Sequence, residues 1–173
     1  MQERGTVAAL TTARPRRLLL TAGVVVAVVA IDQTTKSVVE SDLHHPVHLV
    51  GPLGLALGYN SGSAFSLFTG APLVLAAVSL VLVGVLVWLA WRARSAAMAV
   101  AVGLVLGGAL GNLSDRAFRG HHGDVVDFVT LTHWPTFNVA DACITVGVVL
   151  LVVLSWRRAP VREVDTHGEK SSR

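Results

Sequence analysis

The chain of 173 residues is 53% hydrophobic and only 14% charged, against about 25% charged residues in an ordinary soluble domain. This length suits one modest domain, and the composition excludes disorder and most water-soluble folds, because the apolar excess gathers in runs near the roughly 18 residues that mark a bilayer-crossing helix. The formal charge of +3 reports membrane topology and not nucleic-acid binding, since the arginines flank the apolar runs, and a single cysteine excludes an intramolecular disulfide.

In chain order, residues 1–14 read as a disordered tail, followed by a first span from Leu18 to Val39. Arg14, Arg16 and Arg17 before the apolar run Leu18 to Ile31 resemble the start of a signal peptide, but no small-residue cleavage site follows closely, so the span is taken as permanent. An outer segment of about 40–70 carries Gly51, Pro52, Gly54, Gly58 and Gly62 among short apolar stretches, which predicts turns and short strands on the membrane surface. The second span runs from Pro72 to Trp91 and the third from Ala96 to Leu113. A second outer segment, 114–138, surrounds the apolar run Val125 to Val129, and the last span runs from Val139 to Trp156. Residues 15–159 thus form one four-span domain, with a second disordered tail at 160–173. Helices are expected because they satisfy their own backbone hydrogen bonds in lipid.

Lys and Arg fix the orientation. Eleven of the 14 lie in the two tails and in the link holding Arg92 and Arg94, whereas the opposite side has only Lys36, Arg116 and Arg119. Both termini are therefore expected in the cytoplasm. Trp88, Trp91 and Trp156 fall at cytoplasmic span ends and Trp134 at the outer side, as interfacial indoles do.

Ionised residues at membrane depth cost about 2.5–3.5 kcal/mol each and call for a partner or a function. Here they collect at the outer ends: Asp32, Gln33 and Lys36 close span one, Asn112, Asp115 and Arg116 close span three, and Asp127, Asn138 and Asp141 flank or open span four. Asp32 and Lys36 stand four residues apart on one helix face, in the order that favours an ion pair. Asp115 is free to pair with Arg119 or with a neighbouring helix, and Gly103, Gly107 and Gly111 form a stripe that lets another helix approach. Asp127 and Asp141 differ, because neither has a Lys or Arg within four residues. Two such carboxylates meeting in apolar surroundings do not both ionise, which leaves one acid and one base able to activate a water.

The polar blocks are Asp32-Gln33-Thr34-Thr35-Lys36, Asn60-Ser61-Gly62-Ser63-Ala64-Phe65, Gly108 to Arg116, Val125-Val126-Asp127-Phe128 and Phe137-Asn138-Val139-Ala140-Asp141. In this order on a four-span background, they resemble the bacterial lipoprotein signal peptidases, or signal peptidase II. The resemblance implies four transmembrane helices with a small extracytoplasmic β-cradle and a second outer loop or helix, in the bacterial cytoplasmic membrane. It implies an aspartyl endopeptidase without cofactor or metal, acting on diacylglyceryl-modified prolipoproteins in contact with membrane lipid, without nucleic acid, and as a monomer. Carried over by motif, the catalytic pair is Asp127 and Asp141, and the supporting or substrate-binding residues are Asp32, Lys36, Asn60, Asn112, Asp115, Arg116 and Asn138. The stretch from Arg119 to Gly123 has no counterpart in the family pattern.

Other readings are weaker. His44, His45 and His48 cluster, but Pro46 breaks the helix that would align His44 with His48, so surface histidines are expected. A Lys36 base for Ser61 or Ser63 is disfavoured because Asp32 keeps that lysine charged. Cys143 reads as packing within span four. A proton-coupled transporter requires polar residues through the bilayer depth, and the span centres lack charge.

Overall fold

A computed structural model describes residues 3–61 and 72–156. Helix α1 (Glu3–Asp42) leads into strands β1 (Val47–Val50) and β2 (Leu53–Asn60). Helices α2 (Pro72–Trp91) and α3 (Ala96–Phe118), strands β3 (Val125–Leu131) and β4 (Trp134–Phe137), and helix α4 (Val139–Trp156) follow. Three helical stretches, Pro15–Asp42, Ala96–Phe118 and Val139–Trp156, are long and apolar enough to cross a membrane. Helix α1 starts at Glu3, inside the stretch 1–14 that reads as a tail; no helix breaker precedes Pro15 apart from Gly5. The expected C-terminal tail lies outside the described residues, as does the outer segment from Gly62 to Gly70.

Helix α3 is the centre of the bundle. Ser95 caps its start, its side chain accepting from the Met98 amide, and Ala99, Ala101 and Val102 are wholly buried. Its glycines work as the stripe predicts. A Cβ at Gly103 would lie 2.8 Å from the Val24 Cβ, and one at Gly107 equally close to that of Val28, so α1 packs directly on the α3 backbone. Gly108 faces the Ala140 carbonyl, and Gly147 of α4 sits against Val105 and Ala101, which brings α4 just as close on another side. Leu86 of α2 joins Val105 and Leu106 in a buried cluster. At the end carrying the basic link, Arg17 donates to the Ala93 carbonyl at 2.9 Å and Arg92 lies 4.4 Å from the Trp88 ring centroid.

The four strands form one antiparallel sheet in the order β1-β2-β3-β4. This corrects two expectations. Residues 114–118 continue α3 as helix, and beyond a short loop at 119–124 the second outer segment supplies two strands to the same sheet as the first. The β-branched and aromatic residues Val125, Val126, Phe128, Val129 and Thr130 favour a strand, and His133, with φ of 65°, turns it back into β4. In the β2–β3 register Gly58 stands opposite Asp127, Tyr59 opposite Val126 and Asn60 opposite Val125. Strand alternation therefore puts Asn60 and Asp127 on one face of the sheet and Tyr59 on the other.

Candidate active site

The ends of α1 and α3, the start of α4 and strand β3 meet at one place, where Asp32, Lys36, Asp115, Asp127 and Asn138 are all fully buried. Buried charges persist only when paired and hydrogen-bonded, and the site meets this requirement in two different ways.

The first is an ion cluster. Lys36 Nζ lies 2.8 Å from Asp32 and 2.7 Å from Asp115, both across fully buried pairs. Asp115 also accepts from Arg119 Nε at 2.9 Å, Gln33 Nε2 at 2.8 Å and the Val126 amide at 3.2 Å, which uses its acceptor sites fully. Asp32 accepts the Ala140 amide at 2.9 Å and so ties α1 to the first turn of α4. Lys36 and Arg119 thus serve Asp32, Asp115 and Glu40, and both fully buried acids of the cluster are paired with a cation.

The second is a pair of carboxylates held by neutral amides. Asp127 accepts from Asn138 Nδ2 at 2.7 Å and from Asn60 Nδ2 at 2.9 Å. Asp141 accepts from Asn112 Nδ2 at 2.8 Å and from the Asn138 backbone amide at 3.3 Å. The Asp141 amide in turn donates to Asn138 Oδ1 at 2.9 Å, so Asn138 and Asp141 form a reciprocal capping box that opens α4. Asn138 thus grips both acids. Among the described residues neither acid has a Lys, Arg or His in ion-pair range. Burial holds the Asp127 carboxyl above the usual aspartate range; the Asn60 and Asn138 hydrogen bonds and the Lys36 charge lower it, while the Asp141 charge raises it further.

The amides are oriented by chemistry. Lys36 can only donate, and it donates to Asn112 Oδ1 at 3.1 Å, so the Asn112 nitrogen must face Asp141. This contact joins the two halves of the site.

Every candidate residue from the sequence lies in this region. Arg116 is the least engaged: its Nη1 reaches only the Asn112 carbonyl, at 3.4 Å, and its buried Nε has no partner among the described residues. His44, His45 and His48 are exposed, as expected of surface histidines. The expected pairing of Asp115 with Arg119 is present, whereas sequence reasoning missed Glu40 and gave Gln33 no role in the site. Arg119 donates to Gln33, Ser37, Glu40 and Asp115. The available signal was the spacing of Gln33, Ser37 and Glu40 along one face of α1.

A family model described as Signal peptidase (SPase) II matches residues 24–157. The chain belongs to the signal peptidase II family. The lipoprotein signal peptidase of Mycobacterium avium (strain 104) is 43% identical over 147 residues, which cover 82% of this chain and 81% of that protein. That of Rhodococcus jostii (strain RHA1) is 46% identical over 148 residues, covering 81% of this chain and 73% of that protein. A solved structure of a bacterial membrane enzyme, determined by the in meso method, superposes with a TM-score of 0.72 at 26% identity, covering 80% of this chain and 94% of the other. The protein is therefore a protease with apolar helices suited to a membrane.

Proposed function

We propose that this peptidase removes the signal peptide from diacylglyceryl-modified prolipoproteins, cleaving before the lipidated cysteine by a water activated between Asp127 and Asp141. One observation carries the reading: of the site's carboxylates, these two are held by amides and not by cations, and Asn138 binds both. A carboxylate neutralised by Lys or Arg keeps a depressed proton affinity, whereas an amide-held pair shares one proton near neutral pH.

Burial raises the proton affinity of the Asp127 carboxyl, so in this scheme Asp127 is the acid and Asp141 the base. Asp141 takes a proton from the water as its oxygen attacks the scissile carbonyl, and Asp127 gives its proton to the carbonyl oxygen. Collapse of the resulting diol breaks the C–N bond. The proton held on Asp141 goes to the amine of the lipidated cysteine, the diol returns a proton to Asp127, and the signal peptide leaves with a new carboxyl terminus. Asn60, Asn112 and Asn138 hold the acids at fixed positions. Asp32, Lys36 and Asp115 hold the helix ends that carry those amides, and Arg116, with its unspent donors, faces the substrate.

In the membrane, α2 serves as the fourth span, both termini are cytoplasmic, and the site opens to the extracytoplasmic side of the bacterial inner membrane. The exposed valines and leucines of α2 and α4, such as Val81, Leu82, Val149 and Val152, meet lipid and the apolar helix of the signal peptide. The enzyme acts as a monomer. The test is cleavage of a lipidated precursor against the same precursor without its diacylglyceryl group: only the lipidated form is expected to be cut, and equal cutting of both refutes the substrate assignment.

A further inference from the structure

Behind the sheet, on the face away from Asp127, lies a contact that the reaction scheme does not use. Glu40, near the end of α1, binds Arg119 through Oε2 and His121 Nε2 through Oε1, the latter at 2.8 Å. The His121 ring packs on Tyr59, with centroids 4.5 Å apart and planes tilted by 43°. The loop is shaped to present this ring. Gly120, His122 and Gly123 all have left-handed backbone, with φ of 75°, 56° and 92°, and they turn the chain back toward α1 directly after α3 ends. Arg119 is itself anchored in the ion cluster through Asp115 and Gln33, so the contact is fixed at its helical end.

The other end is tied to the acid pair through strand β2. Tyr59 immediately precedes Asn60, and strand alternation sends the two side chains to opposite faces. Asn60 then reaches diagonally across the β2–β3 pair to Asp127 Oδ2 at 2.9 Å. We propose that Glu40, His121 and Tyr59 form a latch that sets the position of Asn60 against Asp127, making His121 and Tyr59 positioning residues for the reaction. The inference rests on the reading of Asp127 as half of a catalytic pair. Charged and titratable groups around the latch are Glu40 from α1 and Arg119, His121 and His122 from the end of α3 and its loop. Those facing Asp127 are Asp141 from α4 and, farther off, Lys36 from α1, with Asn60 and Asn138 as neutral donors. The Asn60 bond favours the ionised form of Asp127, so releasing the latch raises the proton affinity of that carboxyl.

The experiment uses the full-length enzyme in lipid and two readouts, the kcat and KM for a lipidated precursor as functions of pH and infrared titration of the Asp127 carboxyl, assigned with Asp127→Asn. His121→Ala and Tyr59→Ala are each expected to lower kcat about tenfold, a fraction of the roughly hundredfold that a displacement of about 1 Å can cost. KM is expected to stay within about twofold, and the Asp127 titration and the alkaline limb of the rate profile to move to higher pH. Tyr59→Phe, which keeps the ring, and His122→Asn, at the exposed neighbouring position, are expected to match the wild type. The decisive comparison is Asn60→Ala with and without His121→Ala: the double variant is expected to titrate where the single Asn60→Ala does. Full additivity of the two overturns the latch, as does a loss of thermal stability in His121→Ala with the titration unmoved. An infrared shift without any precursor cleavage by the wild type overturns the proposed reaction, and with it the role of His121 and Tyr59 as positioning residues, while leaving their coupling to Asn60 and Asp127 in place.

Discussion

Lys36→Met isolates the ion cluster from the acid pair. In the wild type the Lys36 ammonium is wholly buried and shared between Asp32 and Asp115, while Arg119 pairs with Asp115 and Glu40. Methionine fills a similar volume without the charge, so one buried negative charge is left unmatched. Breaking a buried pair from one side costs about 3–5 kcal/mol, a large part of a total stability of about 5–15 kcal/mol. For a chain of this size that converts to a drop of roughly 6–20 °C in Tm at about 2–4 °C per kcal/mol. Adding Asp32→Asn removes the carboxylate charge that the Lys36 ammonium offsets, so the net charge of the cluster returns to its wild-type value. The double variant is expected to recover at least half of the lost Tm in detergent-solubilised protein, while cleavage stays impaired because Asn112 has lost the donor that orients its amide toward Asp141. A double variant no more stable than Lys36→Met refutes the charge-balance reasoning.

Other outcomes follow from the same contacts. The pH profile of kcat/KM is expected to be bell-shaped, with the alkaline limb, where the pair loses its last proton, above the ordinary aspartate value of 3.8. Asn138→Ala removes the α4 cap, at a cost of about 0.5–2 kcal/mol, and also a donor to Asp127, so thermal unfolding should come earlier and the alkaline limb should move up; an unmoved limb contradicts the assignment of that limb. Gly111→Ala places a Cβ 2.7 Å from Asp32 Oδ2, and overpacking of this kind costs about 1–3 kcal/mol. Gly84→Ala, with nothing within 4 Å, is the matched control and is expected to be neutral or slightly stabilising in the same melting experiment.

Much of this arrangement was legible in the sequence because charge at membrane depth is costly, so each polar block had to mean something. The Asp32 and Lys36 spacing foretold their ion pair, and the absence of basic neighbours around Asp127 and Asp141 marked the two acids that end up held by amides. The glycine stripe of α3 foretold the close approach of α1, though not that Gly111 would make room for a carboxylate. The sheet was only half visible. Gly-rich turns announced strands before Asn60, but the pairing of β2 with β3 is a contact between residues more than 60 positions apart, and no local pattern encodes it. The pairing of Arg119 with Asp115 was visible in their spacing of four, but the contacts of Arg119 with Gln33 and Glu40 and those of His121 with Glu40 and Tyr59 were not, because the partners come from other elements that only the folded chain brings together. The capping box was present in the spacing of Asn138 and Asp141, three residues apart, yet its dual use, as helix start and as the clamp on both acids, depends on where β3 passes.

The central claim is that Asp127 and Asp141 together, and no other acids of the site, perform the chemistry. Turnover of a lipidated precursor by Asp127→Asn and by Asp141→Asn, each first shown to be inserted and to melt cooperatively, tests it directly. Both variants are expected to lose cleavage by several orders of magnitude, since the two carboxyls act as a unit. Cleavage near the wild-type rate by either folded variant contradicts the account.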